Sequence, residues 1–283
     1  MGARTAPTER QRRLGAELRR MRTAAGLAAD YTAALLGVDR ARISAMEFGQ
    51  RTITPERLRT LACNCEVADE AYVDALVEMA KPAGRQWWDR YRGHLPPGLL
   101  DIAELEAHAR RMRTAFSMHM PGLLQTSDHS LAVFRMVIPA LPSHEIALRL
   151  AHRAERQQIL DGDDAPEYTA LVHEAALRMK FGGRTVARQQ LGYLLAQSER
   201  ENVHLRVLTF EAGAFPGAGQ NVFYAEGPVP QLDTVQLDSA HGPDFLHADT
   251  QLSKYRAHLD LMEELALSRE DSRDFIRNVL SEL

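Results

Sequence analysis

The chain has two cysteines, only three lysines (Lys81, Lys180 and Lys254) and few aromatic residues, at 6% of 283 positions. Cys63 and Cys65 stand one residue apart on a predicted helix. Their side chains would point apart there, which excludes a disulfide or a zinc site built on the pair. They read as small, half-buried core residues. No apolar run approaches the roughly 18 residues of a membrane-spanning helix. The basic N-terminal stretch has no apolar segment of the kind a secretory signal carries. The expectation is a soluble, cytoplasmic protein, and the scarcity of lysine beside arginine reads as coding bias rather than chemistry.

Catalytic signatures are also missing. His173-Glu174 lacks the second histidine of a zinc-protease helix. There is no Gly-x-Ser-x-Gly, and no lysine follows the glycines of Gly213 to Gly219 to make a phosphate loop. His241 and His247, with Asp238, Asp244 and Asp249, form the best local set of metal-ligand types, but the Asp238–Asp249 stretch reads as a polar loop broken by glycine and proline. Ala212-Gly213 resembles the cleavage pair of self-cleaving repressors. That chemistry needs a lysine-activated serine, and the only downstream lysine, Lys254, directly follows Ser253; Ser239 is the sole better-placed nucleophile. The expectation is no enzyme, no cofactor and no metal.

What the chain does have is an uneven charge. Residues 1–65 hold twelve arginines against six acidic residues, a net of +6, so with −4 overall the remainder carries −10. A basic head on an acidic body suits a nucleic-acid binder with a separate regulatory part. The apolar content of 45% and charged content of 25% are those of an ordinary globular protein, long enough for two domains.

Within the head, Leu27 to Gly49 has the layout of a helix-turn-helix. Leu27, Tyr31, Ala34 and Leu35 predict the buried stripe of a first short helix. Gly37 supplies the corner, Val38 plugs it, and Asp39 is a good N-cap for a second helix. Ile43 and Met46 continue the apolar face until Gly49. The recognition segment is therefore Asp39–Phe48, with Arg40, Ala41, Arg42, Ser44 and Ala45 as candidate base readers. Arg40 leads, because a guanidinium at the start of such a helix suits bidentate pairing with guanine. Arg12, Arg13, Arg19, Arg20 and Arg51 are candidate phosphate contacts. Flanking helices are predicted from Arg10 to Ala25, with Leu14, Leu18 and Met21 inward, from Thr54-Pro55 onward, and over Asp69 to Lys81.

Leu27, Leu36-Gly37-Val38, Ile43-Ser44, Glu47 and Gly49 make residues 12–65 resemble the Xre/Cro-type helix-turn-helix. In that family Glu47 would be structural. Ala28-Ala29 replaces the usual Thr-Gln, which leaves Ala29 at a phosphate-contact position without the glutamine side chain.

Beyond the head, Lys81-Pro82-Ala83-Gly84 reads as a linker, followed by Trp87, Trp88 and Tyr91. These aromatics read as docking or seam residues, or alternatively as a stacking or ligand-cage surface. Helices are predicted over Ile102 to Phe116, up to near Ile138, and from a Ser143 cap to Leu160. In the last, Ile146, Leu150, Ala154 and Ile159 would face inward. Its flank of Arg149, Arg153 and Arg156 either faces a small acidic protein or packs on its own domain. Strands are predicted at Tyr168 to Val172, Val203 to Phe210, Asn221 to Ala225 and Thr234 to Leu237. Helices follow at Val186 to Arg200, Thr250 to Leu267 and Asp271 to Leu280.

The fold class expected is mainly α with a smaller α+β part: a five-helix head over 1–81, an aromatic linker over 82–98, and an α+β domain with a small, mainly antiparallel sheet over 99–283. Leu105-Glu106, Pro121 to Thr126, Arg149 to Gln157, Glu174, Leu177-Arg178, Gln190-Leu191 and Ala266-Leu267-Ser268 make this second part similar to the C-terminal domain of actinobacterial antitoxin-like regulators. Val235-Gln236-Leu237-Asp238 departs from that pattern. The resemblance implies a transcription regulator linked with a small partner protein. The function expected is sequence-specific binding of double-stranded DNA as a homodimer, with a small acidic protein as possible partner. The alternative is an antitoxin-like interaction module with DNA binding secondary.

Overall fold

The computed structural model describes residues 6–217, 219–239 and 241–283. Two compact units divide the chain. Unit 1 comprises the residues up to Asp89 together with 228–232, and unit 2 comprises 90–227 and 233–283.

Unit 1 is five helices: α1 (Glu9–Ala24), α2 (Ala29–Leu35), α3 (Arg40–Glu47), α4 (Pro55–Asn64) and α5 (Glu70–Ala80). Most starts are written in the sequence as side-chain caps. Thr8, Asp39, Thr54 and Asp69 each accept a backbone N–H three residues on, and Pro55 opens α4 where no amide partner is needed. The core draws Leu14, Leu18 and Met21 from α1, Ile43 and Met46 from α3, Leu58 and Leu61 from α4, and Val73 and Leu76 from α5. Leu232, in the short segment between two strands of the sheet, joins this core. Trp88 is buried, and its ring meets Trp87 edge-on at 5.5 Å.

The stripe expected on α2 is shifted in phase. Tyr31 is 58% exposed, while Thr32, Ala33 and Leu36 are buried. Of the expected stripe Leu35 packs partly buried against the core, while Ala34 is exposed. Cys65 is half-buried at the end of α4, whereas Cys63 is exposed.

Unit 2 is α+β. In order it contains α6 (Pro97–His108), β1 (Arg111–Phe116), α7 (Ser127–Arg135), α8 (Ser143–Gln157), β2 (Glu167–His173), α9 (Glu174–Arg178) and α10 (Arg184–Gln197). Then come β3 (Val203–Leu208), β4 (Val222–Glu226), β5 (Thr234–Ser239), β6 (Gly242–Leu246), α11 (Asp249–Leu265) and α12 (Arg269–Glu282). The six strands form one mixed sheet in the order β3-β2-β1-β4-β5-β6. β1 runs parallel to β2, as does β2 to β3, and the β4, β5 and β6 pairings are antiparallel.

Both faces of the sheet are covered. Met112, Tyr168, Ala170 and Val172 pack with Leu191 and Leu194 of α10 and Ile276 and Val279 of α12. Ala115, Leu171, Tyr224 and Val235 pack on the opposite side with Leu252, Leu259 and Met262 of α11. Alternation along β2 assigns its side chains to two cores, which is why a buried strand reads as a nearly continuous apolar run.

Two strands depart from the sequence expectation. Arg111–Phe116, read as the end of a helix, is the strand at the centre of the sheet. Between β2 and β4, it is covered by α10 and α12 on the Met112 face and by α11 on the Arg113 and Ala115 face, so Met112, Arg113, Thr114 and Ala115 are all buried and its pattern shows no clean period. Gly242–Leu246 lies in the segment read as a loop, where Ala240 falls outside the described residues. It is an edge strand, the place in a sheet where a proline such as Pro243 is tolerated.

α8 keeps part of its expected apolar face, with Ile146 and Leu150 half-buried and Ile159 just beyond it packed against the core, but it buries polar residues as well. Ser143 is its first residue and makes no capping bond, while His152 and Arg156 are buried and Ala154 is exposed. Arg156 donates twice to Glu106, at 2.8 and 2.5 Å, which closes a buried ion pair. Arg153 bonds Gln125 and Ser130 and lies 4.5 Å over the Phe134 ring, and Arg149 pairs with Glu145. This arginine face is engaged within unit 2, so it is not the surface for an acidic partner. Among the described residues no helix is long and apolar enough to cross a membrane.

Candidate nucleic-acid interface

The α2–α3 corner is built by backbone geometry. Gly37 takes φ of +62°, a conformation that costs a side-chain-bearing residue energy. From there the Val38 amide donates to Ala33 O at 2.9 Å and the Gly37 amide to Ala34 O at 3.2 Å, satisfying the last carbonyls of α2. Asp39 then accepts from the Arg42 amide at 2.6 Å and starts α3.

Backbone contact also holds α3 against α1. A Cβ at Gly15 would stand 2.6 Å from the carbonyl oxygens of Met46 and Glu47, so only glycine permits this approach. Beside it Arg22 donates to Glu47 at 2.5 and 3.0 Å and to Leu27 O at 2.8 Å. The Glu47 hydrogen bond raises the Arg22 pKa above its ordinary value. Glu47 thus locks the end of α3 to α1 and is not presented to a ligand.

With Ile43 and Met46 each 3% exposed, α3 turns the opposite side outward. Arg40, Ala41 and Arg42 are exposed, and Ser44 and Ala45 are half-buried. At 3.6 residues per turn, Ala41, Ser44 and Ala45 share the middle of that face, with Arg40 and Arg42 on its two flanks. Arg40 pairs with Asp30 at 3.2 Å, with side chains 70% and 69% exposed. Such a pair contributes about 0–1 kcal/mol and exchanges readily.

Phe48, at 59% exposed, continues the same face, and Tyr31 is exposed on α2. Sequence reasoning passed over Phe48 as a helix end, although its place four residues after Ser44 was the available signal.

The candidate phosphate arginines separate into two groups. Arg12, Arg19 and Arg51 are exposed, and Arg12 also pairs with Glu9 at 2.7 Å. Arg13 is 4% exposed, pairs with Glu17 at 3.1 Å and donates to Gln231 O at 2.5 Å. Arg20 pairs with Glu17 at 2.8 Å and lies over the Tyr72 ring at 5.7 Å. Tyr72 in turn donates to Glu17 at 2.5 Å, and its phenol is pushed well above the ordinary range, first by burial and then by that bond. Arg13 therefore belongs to a buried network rather than to a phosphate-facing surface: its position on α1 points it into the unit. Arg20 sits at the edge of that network. Ala29 opens α2 with only a methyl side chain.

Among the described residues no group of three or more His, Cys, Asp or Glu side chains is placed to hold a metal ion. Within the His241–His247 stretch, Gly242–Leu246 is strand β6.

Residues 13–76 match the model of a helix-turn-helix domain, and residues 99–278 match that of a domain of unknown function, DUF5753. No curated protein and no solved structure matches the chain. With that second match spanning more than half its length, the chain belongs to the DUF5753 family, here carried behind a helix-turn-helix domain.

Proposed function

We propose that the protein is a sequence-specific DNA-binding transcription regulator of the Xre/Cro type, acting as a homodimer. Asp39–Phe48 enters the major groove. Arg40 reads guanine, Ala41, Ser44 and Ala45 allow close approach, and Arg42 takes a second base or a phosphate. Arg12, Arg19 and Arg51 neutralise phosphates, with the Ala29 amide beside them. Phe48 adds an apolar contact of the kind a thymine methyl accepts.

The exposed cationic first turn of α3, on a helix-turn-helix whose other face is buried, carries this proposal. One short helix reads only a few base pairs. Two-fold pairing on half-sites about 34 Å apart supplies the rest of the specificity. The proposed division of labour is DNA binding by 1–81, a connecting segment at 82–98, and dimerisation with partner or ligand response by 99–283, in the manner of actinobacterial antitoxin-like regulators. No catalytic role is assigned.

Selection of duplexes from a random pool tests it. An enriched motif with two-fold symmetry is expected, and Arg40→Ala should lose preference at one or two positions while retaining non-specific binding. A pool that enriches nothing overturns the proposal.

A further inference from the structure

Unit 2 carries an open groove of about 510 Å3 where the C-terminal end of α7 meets the turn before α10. Its walls are Ala132, Met136, Met179 and Phe181, and its charged groups are Arg135 and Lys180. The volume falls within the range of small-molecule sites, and methionine walls adapt to varied apolar shapes. Met136 is 73% exposed, an unusual position for a large apolar side chain lining a concavity.

The two cations are the informative part. Several arginines of unit 2 are engaged closely: Arg113 with Asp260 and Glu263, Arg156 with Glu106, Arg178 with Glu174 and Glu282, Arg256 with Asp233. Arg135 and Lys180 have neither an ion pair nor a side-chain hydrogen bond among the described residues. Two unneutralised cations thus flank an apolar concavity in a part of the chain that is acidic overall.

The back of the groove is layered. The Phe181 ring contacts His119 at 5.3 Å and His129 at 5.2 Å between centroids. His129 is 1% exposed, and both its ring nitrogens lack a hydrogen-bond partner among the described residues. The imidazole behind Phe181 is thus held by packing rather than by a hydrogen bond.

We propose that this groove binds a small amphipathic carboxylate, its apolar body against Met136, Met179 and Phe181 and its carboxylate on Arg135 and Lys180. Charge complementarity selects an anionic head, and the apolar walls select a hydrocarbon or aromatic body. The site stands on unit 2 alone. Only its meaning as an effector site rests on the DNA-binding function proposed above.

Calorimetric titration of the full chain with decanoate, below its micelle-forming concentration and without DNA, tests the site. Saturable binding is expected, about three- to tenfold tighter than decanol, with the difference shrinking in high salt. R135A/K180A should erase the preference for decanoate over decanol. Met136→Glu, at an exposed position, should weaken decanoate further by placing a like charge in the groove. The His129 imidazole signals should shift on binding, since its ring lies against Phe181. Absence of saturable binding, equal binding of decanol, or indifference to M136E overturns the proposal. A groove that ignores decanoate and instead takes an acidic amphipathic peptide overturns it too. Arg40→Ala, impaired in reading DNA, should bind decanoate normally, so failure of one proposal is visible separately from failure of the other.

Discussion

In unit 1, Arg19, Arg40, Arg42 and Arg51 stand in solvent, whereas in unit 2 Arg113 and Arg156 lie beneath the surface against Glu263 and Glu106. The same residue type serves two purposes, and burial distinguishes them. A buried guanidinium is tolerable when a carboxylate or other acceptors satisfy it, and it then becomes part of the structure. An exposed one contributes little to folding and remains available to a phosphate or a base. Arg13 shows that the distinction also runs within unit 1, because one helix carries it inward to Glu17 and Arg19 outward.

The largest expected effect tests the structural half of this contrast. Arg156→Ala leaves Glu106 buried without its partner, which costs about 3–5 kcal/mol. Urea denaturation should show the loss. An unchanged midpoint would mean that the pair contributes nothing to the fold.

Acid should act on the same unit. Burial, with neighbouring arginines adding to it, holds His129 down to about 4 and His152 to about 3, from an ordinary 6.5. Both are uncharged when folded and take up a proton in the unfolded chain below about pH 6.5, so unfolding is favoured as pH falls. Stability measured between pH 7 and pH 4 should decline over that window, and replacing His129 by glutamine should flatten the decline.

Arg40→Ala addresses the exposed half. It should cost about 1–3 kcal/mol at the cognate site and far less on random DNA, read by footprinting on both.

Salt dependence sharpens the separation inside unit 1. Arg19→Ala and Arg51→Ala should each flatten the slope of log K against log salt by about 0.9, while Arg13→Ala should lower thermal stability and leave that slope alone. Equal slopes for Arg13→Ala and Arg19→Ala would erase the distinction between inward and outward arginines.

The smallest effect is a gain. Asp30→Ala removes the surface partner of Arg40 and an anion beside the proposed reading face, and should tighten DNA binding by up to about 1 kcal/mol in a low-salt titration.

The legible parts of the chain were those set by local chemistry. The Asp39 and Thr54 caps, Pro55, the Gly37 corner and the inward Ile43 and Met46 could be read because each depends on neighbours within one helical turn. The phase of α2 could not. Leu27 and Tyr31 have the right spacing, but which stripe is buried depends on where the helix meets α1 and α3. β1 was hidden for a related reason: a strand enclosed on both faces has no alternation to distinguish it from a short helical run. The arginines of α8 were ambiguous because the sequence does not say which carboxylate lies opposite.

The order of residues alone determined a basic head, its helix-turn-helix and the exposed Arg40, since capping, turns and periodicity act over a few positions. Tertiary structure decided that Arg13 and Arg156 are internal, that Arg111–Phe116 is the central strand, and that Phe48 joins the outward face of α3. Each of these outcomes rests on contacts between residues distant along the chain, where packing and desolvation override local preference.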